Sequence, residues 1–447
     1  MAPSKFQSSK EYKYAGAVAE LKLSDEAKPK GMLSGWVIQI ARRLVLAQLS
    51  QIHTGTILIR ELTGDLTGDL SGKNDEEYRF GQADSELSAE LVIHDASCYR
   101  DILTGGSIGA AEAYMTGDWS TPDLTMLVRV LVRNIDVVDN MEGGIAKLSA
   151  PLLKWFHSLN QNTEKGSRRN IAAHYDLGND FFQLFLDPTM MYSAGIFPTD
   201  DATMEEASLN KLQVICEKLK LCEDDHLLEV GTGWGSLAIY AAKHYGCKVT
   251  TTTISEEQYK FAQTQISAEG LTDRITLLKS DYRYLEGQFD KLVSVEMIEA
   301  VGWKYYPTFF KKCSSLLKAD GMMLLQAITI VDQRYENARK QVDFIQRYIF
   351  PGSCIPSIHA LNTAAMNHSD LRMVYMADFA EHYARTLNAW QHGFMSRLEE
   401  VRGLGYSEEF IRMWQFYLSY CEGGFSERQI GVAHVMYAKP ENKQTSH

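Results

Sequence analysis

Between Leu227 and Ala238 the chain reads Leu-Leu-Glu-Val-Gly-Thr-Gly-Trp-Gly-Ser-Leu-Ala. An apolar run stops at Val230, glycines follow at Gly231, Gly233 and Gly235, and an apolar pattern of helical spacing starts at Leu237. This order predicts a strand, a tight turn and a helix. Glycine lets the backbone turn sharply and come close to a ligand because no Cβ intervenes. The helix that follows points its first amides into the turn. The spacing is not the G-x-G-x-x-G of a nicotinamide dinucleotide site, and the Gly-Lys-Ser/Thr of a P-loop is missing. Taken alone, the turn fits a ligand site and an ordinary glycine-tightened crossover equally well.

The flanking sequence supplies the architecture. Helical patterns at 209–219, 237–245, 256–269 and 306–317 alternate with strand patterns at 226–230, 248–252, 275–279, 291–295 and 321–327. Repeated βα units of this length predict an α/β fold with a doubly wound, mostly parallel sheet covered by helices on both faces. Ligands of such sheets sit at the carboxyl ends of the strands. Residues 335–447 read as mostly helical, with a closing strand at 433–438.

Ahead of this unit, 1–30 reads as a flexible polar tail and 31–140 as a smaller α+β domain. The latter holds an amphipathic helix at 32–49 (Leu33, Trp36, Val37, Ile40, Leu44 and Ala47 on apolar spacing), strands at 56–60, 78–81 and 90–94, and helices at 99–103, 108–115 and 124–133. Thr-Gly-Asp-Leu occurs twice in 63–70 and predicts a surface loop. Residues 141–170 read as a linker containing a helix near 148–156, and 171–447 as the second domain. Lys147, Lys154, Lys165, Arg168 and Arg169 form the densest basic stretch, suited to a lipid face.

Composition narrows the function. A net charge of −12 over 447 residues opposes a nucleic-acid binder that relies on bulk positive potential. The seven cysteines are scattered, odd in number and without a CxxC pair, which predicts reduced thiols and no metal site. No apolar run reaches the ~20 residues of a membrane span, and the first thirty residues lack the apolar core of a signal peptide. The expectation is a cytoplasmic protein.

Several ordered motifs carry a more specific likeness. They are His174–Phe182 (HYDLGNDFF), Met191-Tyr192-Ser193, the Glu229–Gly235 turn, Thr253–Gln258 (TISEEQ), Asp281-Tyr282-Arg283, Glu296–Gly302 (EMIEAVG) and Tyr348–Gly352 (YIFPG). Together they resemble the cyclopropane-fatty-acid synthase and mycolic-acid methyltransferase family, which uses S-adenosylmethionine. Tyr114–Trp119 and its surroundings resemble the lipid-binding domain of the phospholipid branch.

The resemblance implies a Rossmann-like class I methyltransferase domain behind a lipid-binding domain, and a reaction that adds a methylene to the cis double bond of a phospholipid acyl chain. It implies that Tyr192, Ser193, Gly231 and Gly233 hold the amino-acid end of the cofactor, Thr253 and Gln258 the ribose, and Asp281 and Tyr282 the adenine. It further implies a bound bicarbonate as base, caged by Glu299, Tyr383 and the main chain of Ala194 and Ile328. Gln326 takes the place of the family's histidine, and Ala194 that of a cysteine. Glutamine donates to an anion but does not relay a proton near neutral pH. A methylene- or methyl-branched chain, or a lipid-binding protein without catalysis, are therefore the alternatives to a ring. Cys421 matches a cysteine once favoured as a nucleophile, although cation chemistry needs no thiol. The family also implies transient contact with the inner membrane face and a homodimer.

Overall fold

The computed structural model describes residues 32–62, 76–143 and 177–443. The expectations for 1–30, the 63–70 repeat, the 148–156 helix, the five basic residues and His174 lie outside them.

The N-terminal unit starts with helix α1 (Met32–Leu49), which buries Ala41, Val45 and Leu49 and leaves Trp36, Val37 and Leu44 exposed. Strands β1 (Thr56–Glu61), β2 (Glu76–Gly81) and β3 (Ser88–Ile93) follow. Helix α2 (Ser97–Thr116) is broken at Gly106 (φ 59°, ψ −137°), a conformation that glycine tolerates, so its two halves match the two predicted helices. After β4 (Trp119–Ser120) comes α3 (Leu124–Arg133), whose first turn is capped by the Asp123 side chain accepting from Met126 N at 2.8 Å. Helix α4 (Ile135–Gly143) ends the unit. The sheet order is β2-β1-β3-β4, with β1 and β3 parallel.

The second unit alternates as predicted: α5 (Met204–Leu219), β5 (His226–Val230), α6 (Ser236–Tyr245), β6 (Lys248–Thr252), α7 (Glu256–Ala268), β7 (Ile275–Leu278), β8 (Phe289–Val295), α8 (Tyr306–Leu316) and β9 (Leu317–Ile330). Thr203 and Glu206 close a capping box at the start of α5. Then come α9 (Ile358–His368), β10 (Arg372–Asp378), α10 (Ala380–Ser396), α11 (Glu408–Ser426) and β11 (Ile430–Ala438). The sheet runs β10-β11-β9-β8-β5-β6-β7. Its five strands from β9 to β7 are parallel, and β11 and β10 join antiparallel. The chain order reverses at β5, between β6 and β8, so the glycine turn opens at the topological switch point. The C-terminal part is mostly helical and closes with β11 as expected, and β10 is a further strand that the sequence reading did not include.

Helix α11 joins the two units. Tyr114 of α2 lies 5.8 Å from the Phe416 ring and donates from its hydroxyl to Gln415 at 2.9 Å. A Cβ on Gly423 would stand 2.6 Å from Val128 Cγ1, so α3 and α11 touch where only glycine fits. Arg129 and Arg133 of α3 both bind the buried Glu427 carboxylate.

Candidate active site

A cavity of about 280 Å³ opens at the carboxyl ends of β5, β6, β8 and β9. Tyr192, Ser193, Gly231, Gly233, Thr253, Gln258, Asp281, Tyr282, Glu299, Ile328, Tyr383 and Cys421 all line it. The remaining expected residues, Ala194 and Gln326, are buried just behind its wall.

The glycine turn forms the floor. Gly231, Gly233 and Gly235 all have positive φ (105°, 54° and 99°). The turn is tied to β6 by Gly231 N and Thr232 N donating to Thr252 O. A Cβ built on Gly233 meets nothing within 4 Å, so it would project into the open cradle. Glu229, at the end of β5, is buried and accepts from Thr251 Oγ1 at 2.5 Å; burial pushes its carboxyl up to about 8.

The polar groups are separated as an elongated ligand requires. Ser193 Oγ accepts from Lys211 Nζ at 2.6 Å, and the hydroxyls of Tyr192 and Tyr417 meet at 2.9 Å. Thr253 Oγ1 donates to Gln258 Oε1 at 2.9 Å. Asp281 accepts from Arg283 Nε at 2.9 Å and Nη2 at 2.6 Å, which orders the short turn that carries Tyr282. The Tyr282 ring packs edge-on to Phe309. Cys421 is half-buried, and burial raises its thiol well above the ordinary range, so it is protonated.

The anion cage differs from the expectation. Tyr383 Oη donates to Glu296 Oε2 at 2.8 Å, while Ala194 N and Gln326 Nε2 donate to Glu296 Oε1 at 3.0 and 2.8 Å. Ile328 N, at 2.5 Å, donates to Glu299 instead. The donors expected for bicarbonate thus hold a side-chain carboxylate. A free anion in the same cage would lie against the ionised Glu296 carboxylate, and like charges in a buried pocket are costly. Bicarbonate does not fit this arrangement.

Glu296 follows the last residue of β8 and sits at φ 48°, a left-handed conformation that costs a non-glycine residue roughly 1 kcal/mol. Burial raises its carboxyl above the ordinary range, against the Lys211 charge and the three donors that favour ionisation. Three groups that donate to it describe an ionised carboxylate. Burial first, then the Glu296 charge, pushes Glu299 up to about 8, so Glu299 keeps its proton at neutral pH. Its Oε2 is buried without a hydrogen-bond partner among the described residues. One ionised and one neutral carboxyl therefore share the site, and opposite environments set the two roles. Lys211 has no exposed surface, and burial lowers its ammonium to about 8.

Sequence reasoning passed over Glu296, Lys211 and His434. For Glu296 the signal was present: a charged residue directly after a buried apolar strand, at the ligand end of the sheet.

Strand order, the switch-point glycine turn and the separated polar groups define a class I S-adenosylmethionine-dependent methyltransferase. Residues 162–435 match the mycolic acid cyclopropane synthetase family, and the chain belongs to that family. It is 36% identical over 367 residues to the tuberculostearic acid methyltransferase UfaA1 of Mycobacterium tuberculosis, an alignment covering 79% of this chain and 83% of the relative. It is 35% identical over 354 residues to the cyclopropane-fatty-acyl-phospholipid synthase of Escherichia coli, covering 78% and 88%. The solved mycolic acid cyclopropane synthase CmaA1, complexed with SAH and CTAB, superposes with a TM-score of 0.57 at 31% identity, over 61% of this chain and 98% of that one. The enzyme thus moves a methylene or methyl group from S-adenosylmethionine to unsaturated lipid chains.

Proposed function

We propose that this enzyme alkylates the cis double bond of an acyl chain within a membrane phospholipid, that Glu296 takes the proton released, and that a cyclopropane ring results. S-adenosylmethionine supplies an electrophilic methyl group on a sulfonium. Tyr192, Ser193, Gly231 and Gly233 hold its amino-acid end, Thr253 and Gln258 its ribose, and Asp281 and Tyr282 its adenine. Addition to the double bond leaves a carbocation, which the rings of Tyr192, Tyr383, Tyr417 and Phe425 along the cavity stabilise without trapping. The ring closes when a proton leaves the new methyl group and its C–H electron pair joins the cationic carbon. The observation that carries the reading is the Glu296 carboxylate, fixed by Ala194, Gln326 and Tyr383 at the cavity wall.

The departure of the same cage from the family pattern favours a second reading. If a hydride from the methylated carbon shifts to its cationic neighbour first, loss of the same methyl proton gives an exocyclic methylene. Glu296 and Gln326 where the family has a free anion and histidine, together with the likeness to UfaA1, support that branch. The N-terminal unit serves as the lipid-binding domain in both readings. Trp36, Val37 and Leu44 on α1 are exposed apolar side chains available for transient contact with a membrane. Two copies acting as a homodimer would double that contact.

The test is purified enzyme with S-adenosylmethionine and unsaturated phospholipid vesicles, the released fatty acids being weighed before and after mild hydrogenation. A gain of one CH₂ that resists hydrogen means a ring. The same gain followed by uptake of two hydrogens means a branched alkene. No gain with cofactor and lipid bound would refute both.

A further inference from the structure

Behind Gln326 lies a buried polar row that the reaction above does not use. Gln326 on β9 and His434 on β11 are direct partners in antiparallel register, and both are 0% exposed. His434 Nε2 lies 2.9 Å from Gln326 Oε1, and His434 Nδ1 lies 3.0 Å from Lys218 Nζ. Lys218 is half-buried in the last turn of α5, 4.7 Å from the Tyr375 ring centroid.

The ends of the row decide where its hydrogens are. An ionised carboxylate only accepts, so Gln326 turns its NH₂ to Glu296 and its Oε1 away. Oε1 then accepts from His434, which places the imidazole hydrogen on Nε2. Burial, with the charges of Lys218 and Lys211, holds His434 well below its ordinary range and therefore neutral. Nδ1 is left with a lone pair and accepts from Lys218. Every bond in the row Lys218, His434, Gln326, Glu296 donates toward the carboxylate. Two apolar residues could fill the same sites on adjacent strands at little cost to stability, so the fold alone does not call for this pair.

We propose that His434 and Lys218 are positioning residues for the proton transfer at Glu296, because they lock the Gln326 amide with its NH₂ toward the carboxylate. An unlocked amide could turn its oxygen to Glu296 and set two acceptors 2.8 Å apart. The inference rests on the reading of Glu296 as the base. The charged and titratable groups around Glu296 are Lys211, Glu299, Tyr383 and Tyr417, and those around His434 are Lys218 and Lys211. Only the row is altered in the variants below.

The test is kcat against pH for His434→Phe, Lys218→Met and Lys218→Arg, with S-adenosylmethionine and dioleoyl phosphatidylglycerol vesicles. In the first two, kcat falls about tenfold and the KM for S-adenosylmethionine holds. The acid limb moves up by about one pH unit, because a carboxylate that loses an oriented donor grips its proton more tightly. Lys218→Arg keeps a cation and a donor and returns most of that limb. If His434→Phe does not fold, Lys218→Met carries the test alone, since its side chain is half-exposed. Unchanged kcat, or a lower kcat with an unmoved acid limb, overturns the proposal. Glu296→Gln separates the two layers. Full activity there removes Glu296 as base, whereas lost activity there with unmoved limbs in the other variants removes only the positioning role.

Discussion

Replacing Glu229 by Gln should stabilise the fold, by an amount that grows with pH. Glu229 is 3% exposed at the end of β5, and burial lifts its carboxyl from the ordinary 4.5 to about 8. The sign follows from proton counting. Between those two values the unfolded chain has lost the proton and the folded chain keeps it. The folded state binds more protons, so wild-type stability falls as pH rises. Each pH unit in that window costs about 1.4 kcal/mol, which accumulates to about 3 kcal/mol by pH 7. Glutamine has the shape of the neutral carboxyl and keeps an acceptor for Thr251 Oγ1, but it has no charge to penalise. The advantage of the variant should be near zero around pH 4.5, about 1 kcal/mol near pH 5.5 and about 3 kcal/mol near pH 7. Urea unfolding of both proteins across that range, read as a difference, cancels the other buried carboxyls. An advantage that stays constant with pH, or shrinks as pH rises, would refute the reasoning.

Three further substitutions test other parts of the structure. Tyr383→Phe removes the donor to Glu296 Oε2 and should lower kcat about ten- to a hundredfold while calorimetric S-adenosylhomocysteine affinity holds. Gly235→Ala forces a Cβ onto a φ of 99° and to 3.1 Å from Ala262 Cβ, and should cost about 1–3 kcal/mol in urea unfolding. Glu427→Ala strips Arg129 and Arg133 of their shared carboxylate. Because both arginines reach water, the loss should be about 1–2 kcal/mol, seen as a lower urea midpoint and faster proteolysis at α3.

The parallel part of the sheet could be read from the sequence because its inner strands are buried on both faces. A stretch such as Met322–Leu325 is then a continuous apolar run. Strand β10 escaped for the opposite reason. Arg-Met-Val-Tyr-Met-Ala-Asp lies at the sheet edge with alternating exposure, and its β-character comes from pairing with β11, which no local pattern encodes. The break at Gly106 was legible in the sequence. A Gly-Gly step reads as the end of one helix and the start of another, and α2 breaks there, with Gly109 packed on the Asp101 backbone where a Cβ would lie 1.9 Å from Asp101 O.

The residues chosen for what a ligand needs come together in one cavity, whereas the partner of Tyr383 and Ala194 is a neighbour that local sequence did not single out. Glycines, hydroxyls and an aromatic residue at strand ends have a chemical meaning that local sequence carries, and the cavity gathers all of them. Which carboxylate Tyr383 and Ala194 address is a matter of tertiary distance, and Glu296 and Glu299 are three residues apart on one turn. The left-handed φ at Glu296 decides between them. It turns the first carboxylate toward Ala194, Tyr383 and Gln326 and leaves the second with Ile328 alone. A glycine would reach that backbone conformation without strain but would bring no carboxylate. On the proposed reading, the strain is tied to a base that is part of the chain. Such a base is in place at every turnover, and added bicarbonate should leave kcat unchanged.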